Sequence, residues 1–172
     1  MDEREFDIFY AASYHRVIGQ IYAMLGNHDE AQECVQEAFA RAWAHRGKLE
    51  RTDQAEAWVR TTAYRLAISR WRRMKVAHRP SDRALGPARE SAAPSETHVA
   101  LVSALRELPE PQRQAVVLHH IADLSVLDVA REAGVPEGTI KARLSRGRAA
   151  LAALLGAEDS AQPKETSDPC VI

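Results

Sequence analysis

Apolar residues recur at three- and four-residue steps over the first part of the chain, which is the spacing of helices that face a core. This pattern predicts a helix from about Glu5 to Leu25, which Gly26-Asn27 ends, and a second helix from about Asp29 to His45. A loop from Gly47 to Asp53 then leads to a third helix from about Gln54 to Ala77. The middle turns of the third helix are apolar almost all round, so we expect it to pack centrally.

The helical periodicity is interrupted between His78 and Glu96, where prolines, small residues and mixed charges predict a linker. A second helical block follows it. Its predicted helices lie near Thr97–Glu107, Pro109–Ile121, Val126–Ala133 and Pro136–Leu155. The polar residues from 157 to 172 predict a disordered tail. The sequence therefore predicts an all-α fold of two small helical domains, residues 1–77 and 97–156, joined by a flexible linker at 78–96.

The last two predicted helices have the pattern of a helix-turn-helix. Ser125 and Asp128 have the spacing of a capping box, in which the serine side chain binds free backbone N–H groups at a helix start. Gly134 follows the short helix and suits the left-handed conformation that turns the chain. Pro136 suits the first turn of the next helix, because its missing N–H would have no partner there. Helix, glycine turn and helix in this order predict a helix-turn-helix.

The final helix carries a narrow apolar stripe opposite a basic face. Ile140, Leu144, Gly147, Leu151 and Leu155 form the stripe, which we expect to face the core. The opposite face and its flanks hold Lys141, Ala142, Arg143, Ser145, Arg146 and Arg148. A recognition helix in the major groove needs an anchored face and an outward face of hydrogen-bond donors. A basic surface helix of an ordinary bundle is the alternative.

Charge is distributed unevenly along the 172 residues, although the net charge is only -1. Residues 1–58 hold eleven acidic against six basic residues, whereas residues 60–79 hold seven basic residues and no acid. Residues 138–150 hold four basic residues and again no acid. Two basic helices on an otherwise acidic chain predict two contacts with phosphate backbones, or else two solvated helix faces.

Composition and spacing also exclude several classes of protein. No apolar run approaches the roughly 18 residues needed to span a bilayer, and the chain begins with acidic residues, so we expect a cytoplasmic protein without membrane insertion. Cys34 and Cys170 are too few for a disulfide framework. The adjacent His119 and His120 cannot share a helix face, and no metal-ligand spacing occurs. We therefore expect no enzyme, no metal and no cofactor.

Several segments together resemble a known family. Leu108-Pro109-Glu110, Gln112-Arg113 and the run Gly138–Arg146 resemble region 4 of group IV, or extracytoplasmic-function (ECF), sigma factors of the sigma-70 family. The segment Asp29–Trp43 resembles region 2.2, and Trp58–Arg73 resembles regions 2.3 and 2.4. The resemblance covers about residues 6 to 156, with the family's order and spacing.

The resemblance implies that the first domain binds the clamp coiled coil of the largest subunit of core RNA polymerase and helps to melt the minus-ten element of promoter DNA. The implied polymerase-binding residues are Asp29, Glu33, Gln36, Glu37 and Arg41. The implied minus-ten contacts are the loop Gly47–Asp53 with Tyr64, Arg65, Ser69, Arg70, Arg72 and Arg73. Arg65 departs from the family, since many members have Asn there. The alternative for both Tyr64 and Trp71 is a core aromatic, and we favour it for Trp71.

The second domain is implied to bind the beta-subunit flap and to read the minus-thirty-five element. The implied DNA contacts are Thr139, Lys141, Ala142, Arg143, Ser145 and Arg146. An anti-sigma factor that clamps both domains is a further implied partner, although some members are controlled by expression alone. The alternative function is a stand-alone helix-turn-helix regulator that never engages polymerase, but it leaves Asp29–Trp43 unexplained.

Overall fold

The structure is a computed structural model that describes residues 1–49, 52–77 and 96–159, with side chains described for 1–49, 54–70 and 98–156. Over these residues it contains no strand, which agrees with the predicted all-α fold. Its α-helices are α1 Glu3–Leu25, α2 His28–Ala44, α3 Thr52–Ala77, α4 Glu96–Glu107, α5 Glu110–Val116, α6 Val126–Ala133 and α7 Glu137–Asp159. A 3₁₀ turn, Arg46–Lys48, follows α2, so the segment predicted as a loop from Gly47 to Asp53 is helical at both ends. In the described part, no helix has the length and apolar character to cross a membrane.

Helices α1 to α3 form the first region, a three-helix bundle. A capping box joins Asp2 and Glu5 at the start of α1, and Gly26 ends that helix with a φ of 71°. The Asn27 side chain accepts a hydrogen bond from the Glu30 N–H and so begins α2. The apolar stripe of α2 is buried between its neighbours, at Ala31, Cys34, Val35, Ala38, Phe39 and Ala42. Apolar burial on facing helices therefore holds this bundle together.

Helices α4 to α7 form the second region. The segment Pro109–Ile121 is predicted as one regular helix, but in the structure it has two parts. The α-helix α5 ends at Val116, and a π-helical turn, Val117–Ile121, continues the chain. Ser125 caps α6, its hydroxyl accepting from the Asp128 N–H at 3.1 Å. Gly134 ends α6 in the left-handed conformation, with a φ of 67°. Helices α6 and α7 thus form the helix-turn-helix that these residues predict.

The two regions pack directly against each other. Helix α1 contacts both α4 and the π-helical turn, and the buried residues of both regions form one continuous core. The sequence did not predict this contact, since its pattern indicated separate domains. The predicted linker lies outside the described residues except for Glu96, with which α4 begins. The predicted tail overlaps the end of α7 at residues 157–159, and its remainder also lies outside.

Candidate nucleic-acid and polymerase interface

The apolar stripe of α7 anchors the helix as predicted along its first half. Ile140 is 0% exposed and Leu144 is 2% exposed, whereas Leu151 and Leu155 are only half-buried. Gly147 lies where α7 crosses α5, and a Cβ atom there would lie 2.7 Å from Cγ2 of Val116. Only a residue without a side chain fits this crossing unchanged. Helix α7 is therefore held at a fixed distance from the rest of its region.

The predicted minus-thirty-five residues lie on α7 away from this anchored stripe. Lys141, Ser145 and Arg146 are exposed. Thr139, Ala142 and Arg143 are half-buried. An anchored helix with exposed ammonium, hydroxyl and guanidinium donors has the form required to enter a major groove. The structure thus brings this predicted set together on one helix.

The predicted minus-ten residues lie along the second half of α3. Arg65 and Ser69 are exposed, whereas Tyr64 is half-buried and its hydroxyl donates to the Glu110 carboxylate at 2.6 Å. Burial, and then the hydrogen bond to Glu110, raises the pKa of Tyr64. Arg72 and Arg73 lie on α3, but their side chains are outside the described residues, as are residues 50–51 of the predicted loop.

The predicted polymerase-binding residues share one face of α2. Asp29, Glu33, Gln36 and Arg41 are exposed on it, and Glu37 is half-buried. The Glu37 carboxylate accepts from the Arg41 guanidinium at 2.9 Å, and the Gln36 amide donates to the Tyr14 hydroxyl at 3.2 Å. This face therefore offers carboxylate and amide groups to a partner, partly neutralised at one end.

The structure also joins two sets that the sequence predicts separately. The Arg70 guanidinium of the minus-ten set donates to the Glu33 carboxylate of the polymerase-binding set at 2.9 Å. Glu33 is 68% exposed in its side chain and Arg70 is 33% exposed, so water screens the pair. A partner that binds either residue therefore competes with this contact, although the electrostatic coupling between the two residues is weak.

A buried arginine on α3 is the largest feature that the sequence reasoning missed. Arg60 is 3% exposed and donates to both carboxylate oxygens of Glu132 on α6, at 2.8 and 2.7 Å. It also donates to the Gln20 side chain at 3.2 Å and lies 3.6 Å from Glu56. An arginine among the apolar middle turns of α3 is a signal in the sequence, but nothing local to it predicts the partner 72 residues away.

Family models match both regions of the chain. The model described as Sigma-70 region 2 matches residues 9–76, and the model described as Sigma-70, region 4 matches residues 98–151. The first match contains α2 and nearly all of α3, and the second contains the helix-turn-helix. Both predicted sets of DNA contacts therefore lie within segments that match this family.

Individual relatives and a solved structure point to the same family as these two models. The ECF RNA polymerase sigma factor SigM of Mycobacterium tuberculosis is 32% identical over 144 residues, which are 83% of this chain and 74% of the relative. SigW of Bacillus subtilis, also an ECF sigma factor, is 29% identical over 145 residues, covering 76% of this chain and 78% of the relative. The sigma factor RpoE of Bartonella quintana, solved in complex with the anti-sigma factor NepR, has a TM-score of 0.73 and 25% identity, covering 90% of this chain and 99% of that one. The chain belongs to the ECF sigma factors of RNA polymerase.

Proposed function

We propose that this sigma factor binds core RNA polymerase through the exposed face of α2 and directs it to promoters that α7 and the basic half of α3 recognise. The observation that carries the proposal is the anchored recognition helix, in which Ile140 and Leu144 are buried while Lys141, Ser145 and Arg146 face outward. The protein itself supplies no catalytic group, since polymerase performs the chemistry. It acts in the compartment that holds the transcription machinery.

The outward residues of α7 suit readout of a duplex. Arg146 can donate two parallel hydrogen bonds to a guanine edge, and Lys141 and Ser145 can reach further acceptors or phosphates. Because the opposite stripe is fixed in the core, the helix that carries these donors has little freedom to shift as it approaches the groove. We infer that α7 reads the minus-thirty-five element.

The exposed residues of α3 suit single-stranded DNA. Tyr64 offers an aromatic plane on which an unpaired base can stack, and Arg65 and Arg70 offer guanidinium groups for phosphates or for stacking. Its hydroxyl donates a hydrogen bond to Glu110 in this structure. We infer that this half of α3, continuing to Arg72 and Arg73, binds and helps to melt the minus-ten element.

The acidic face of α2 provides the surface for polymerase. Its carboxylates attract a basic partner surface, and Gln36 adds directional hydrogen bonding. The largest-subunit clamp coiled coil is the proposed partner for this face, and the beta-subunit flap for the second region. An anti-sigma factor is proposed as a further partner, since the solved sigma factor RpoE, to which the chain is similar, is described in complex with one.

Reconstitution with core polymerase tests the proposal. The purified chain is mixed with core enzyme, captured, and assayed by run-off transcription on a promoter library. We expect capture and promoter-specific transcripts. Glu37→Lys should reduce capture, whereas the matched reversal Glu107→Lys on an exposed site of the second region should not. Failure of the folded wild-type chain to bind core would refute the proposal. Tight, sequence-specific binding to promoter duplex without core would favour the stand-alone regulator.

A further inference from the structure

Two adjacent histidines on the π-helical turn lie closer together than the sequence predicts. Neighbouring residues of a regular α-helix lie on different faces, so the sequence predicts no shared face for His119 and His120. In the structure their ring centroids are 4.7 Å apart, with an angle of 67° between the ring planes. Single π-helical turns within helices occur frequently at functional sites. The π-helical turn therefore brings two imidazole rings together in a place that the proposed function does not use.

The main chain orients the ring of His119. Its Nδ1 atom lies 2.7 Å from the carbonyl oxygen of Leu124, directly before the residue that caps α6. A carbonyl oxygen can only accept, so Nδ1 carries a proton and donates it to this bond. In the neutral ring Nε2 is then an acceptor, and it becomes a donor only when the ring takes up a second proton. His119 can therefore donate to an anion through Nε2 only in its positively charged form.

Arg148 connects the histidine pair to the outward side of α7. Lys141, Ser145 and Arg148 are spaced by four and then three residues, so they share one side of the helix, and all three are exposed. The Arg148 Nε atom donates to the Leu144 carbonyl oxygen at 3.3 Å, which fixes where the guanidinium lies along α7. His120 is exposed as well, and the positive charge of Arg148 is one cause of its lowered pKa. The pair and Arg148 are therefore neighbours beside the proposed duplex-reading residues.

The surroundings of the pair oppose positive charge on it. Burial is the largest cause of the lowered pKa of His120, followed by the charges of His119 and Arg148. Further charged or titratable groups lie on the elements that adjoin the turn: His15 and Arg16 on α1, Glu110 and Arg113 on α5, Asp123 in the connection, and Asp128, Arg131 and Glu132 on α6. The acids on the two helices have other partners, namely Tyr64 for Glu110, Ser125 for Asp128 and Arg60 for Glu132. No carboxylate is among the causes of the shift, so an approaching anion would supply the compensating charge.

A duplex read by α7 would place phosphates on this side of the helix. The major groove is bordered by two phosphate backbones, to which most hydrogen bonds between protein and DNA are made. Phosphate oxygens only accept, and hydrogen bonds from charged donors to them are roughly twice as strong as neutral ones. The guanidinium of Arg148 and the charged form of His119 are donors of this kind. The three side chains therefore have the chemistry of a phosphate site.

Resting on the proposed readout of a duplex by α7, we propose that His119, His120 and Arg148 form a proton-linked phosphate site that holds one DNA backbone beside α7. A bound phosphate places negative charge against the rings, so the pair takes up a proton on binding, and acid pH strengthens the complex. Uptake of one proton whose pKa rises by about one unit on binding makes binding about tenfold tighter at low pH. The additional phosphate contact also steepens the dependence of log K on log salt by roughly 0.9.

Variants of the full chain test the site. His119→Gln keeps an N–H group for the Leu124 carbonyl but cannot become charged. His120→Gln changes an exposed side chain, so it preserves the test if His119→Gln fails to fold. A double variant removes both titrating rings, and Arg148→Gln removes the permanent charge. His45→Gln is the matched control, since Nδ1 of His45 likewise lies 2.8 Å from a main-chain carbonyl oxygen, that of Arg41 in the first region. Circular dichroism at each pH checks folding.

The probe is a pool of DNA duplexes with a randomised core, and its binding is measured by fluorescence anisotropy at about pH 5.5 and about pH 7.5, over several salt concentrations. We expect the wild type and His45→Gln to bind about tenfold more tightly at the lower pH, with a steeper salt dependence. The double variant should lose most of both effects, each single histidine variant a part of them, and Arg148→Gln should bind more weakly at both pH values.

The outcomes separate the site from a structural role of the histidines. No gain at acid pH in the wild type, or an equal gain in the folded double variant, would overturn the site. A gain that the double variant loses without any change in salt dependence would mean that the histidines act through the fold, and it would overturn the phosphate contact. Failure of the same wild-type chain to capture core polymerase, with proton-linked duplex binding intact, would instead refute the proposed function.

Discussion

Replacing Gly147 with alanine tests how closely helix α7 packs against α5 of its own region. An alanine Cβ would lie 2.7 Å from Cγ2 of Val116, 3.4 Å from Cδ2 of Leu108 and 3.5 Å from the Gln112 carbonyl oxygen. Val116 is 4% exposed and β-branched, so it has little freedom to move aside. Overpacking of this kind costs about 1–3 kcal/mol, and the better helix propensity of alanine offsets about 0.5–1 kcal/mol.

We therefore expect Gly147→Ala to lower the free energy of unfolding by about 1 kcal/mol, which lowers Tm by roughly 2–4 °C for a protein of this size. Gly19→Ala is the matched control, because Gly19 is exposed within α1 and a Cβ atom added there would meet nothing within 4 Å. It should raise the free energy of unfolding by about 0.5–1 kcal/mol. Urea and thermal unfolding of both variants supply the comparison. If Gly147→Ala stabilised the chain as Gly19→Ala does, the close approach of α7 to α5 would be wrong.

Two further predictions concern the DNA surfaces. Arg146→Ala should cost about 1–3 kcal/mol on the preferred minus-thirty-five duplex and relax base preference, whereas Arg72→Ala should weaken all promoters alike and reduce the salt dependence. Transcription across a promoter library at several salt concentrations measures both, and equal, sequence-independent losses would contradict this division. Burial and the bond to Glu110 raise the pKa of Tyr64 from 10.0, so its contribution to stability is complete below pH 10 and is lost as pH rises further. Tyr64→Phe should therefore lose less stability at alkaline pH than the wild type when both are unfolded in urea. Identical losses would show that the pKa of Tyr64 is not raised in the folded chain.

The sequence predicted the positions of the helices well because apolar spacing and capping residues within each segment determine them. The apolar stripe of α2 is the face that the structure buries. The helix runs from His28 to Ala44, one residue from the predicted bounds at each end. Helix α6 has the predicted bounds, since Ser125 and Gly134 act through bonds within a few residues of themselves. The family of the chain was also predicted, from motif segments whose order and spacing are specific.

The sequence did not predict features that depend on distant residues. The π-helical turn at Val117–Ile121 leaves the apolar pattern of its segment intact, so periodicity does not distinguish it from a regular helix. The contact between the regions involves Arg60, Tyr64, Glu110 and Glu132, residue types that are usually exposed or core aromatic. Their partners lie 46 and 72 residues away in the chain, beyond the reach of local spacing.

The polar character of that contact bears on how easily the regions separate. In a variant without Glu132, Arg60 keeps only Glu56, 3.6 Å away, as a charged partner while the regions are packed, so the loss should be smaller than the about 3–5 kcal/mol typical of a buried charge left with no partner. When the intact regions separate, however, both charges regain water, so the opening itself costs far less than the variant suggests. Contacts between domains within a chain are accordingly more polar than permanent interfaces. A buried ion pair thus selects one register of the two regions while adding little net stability.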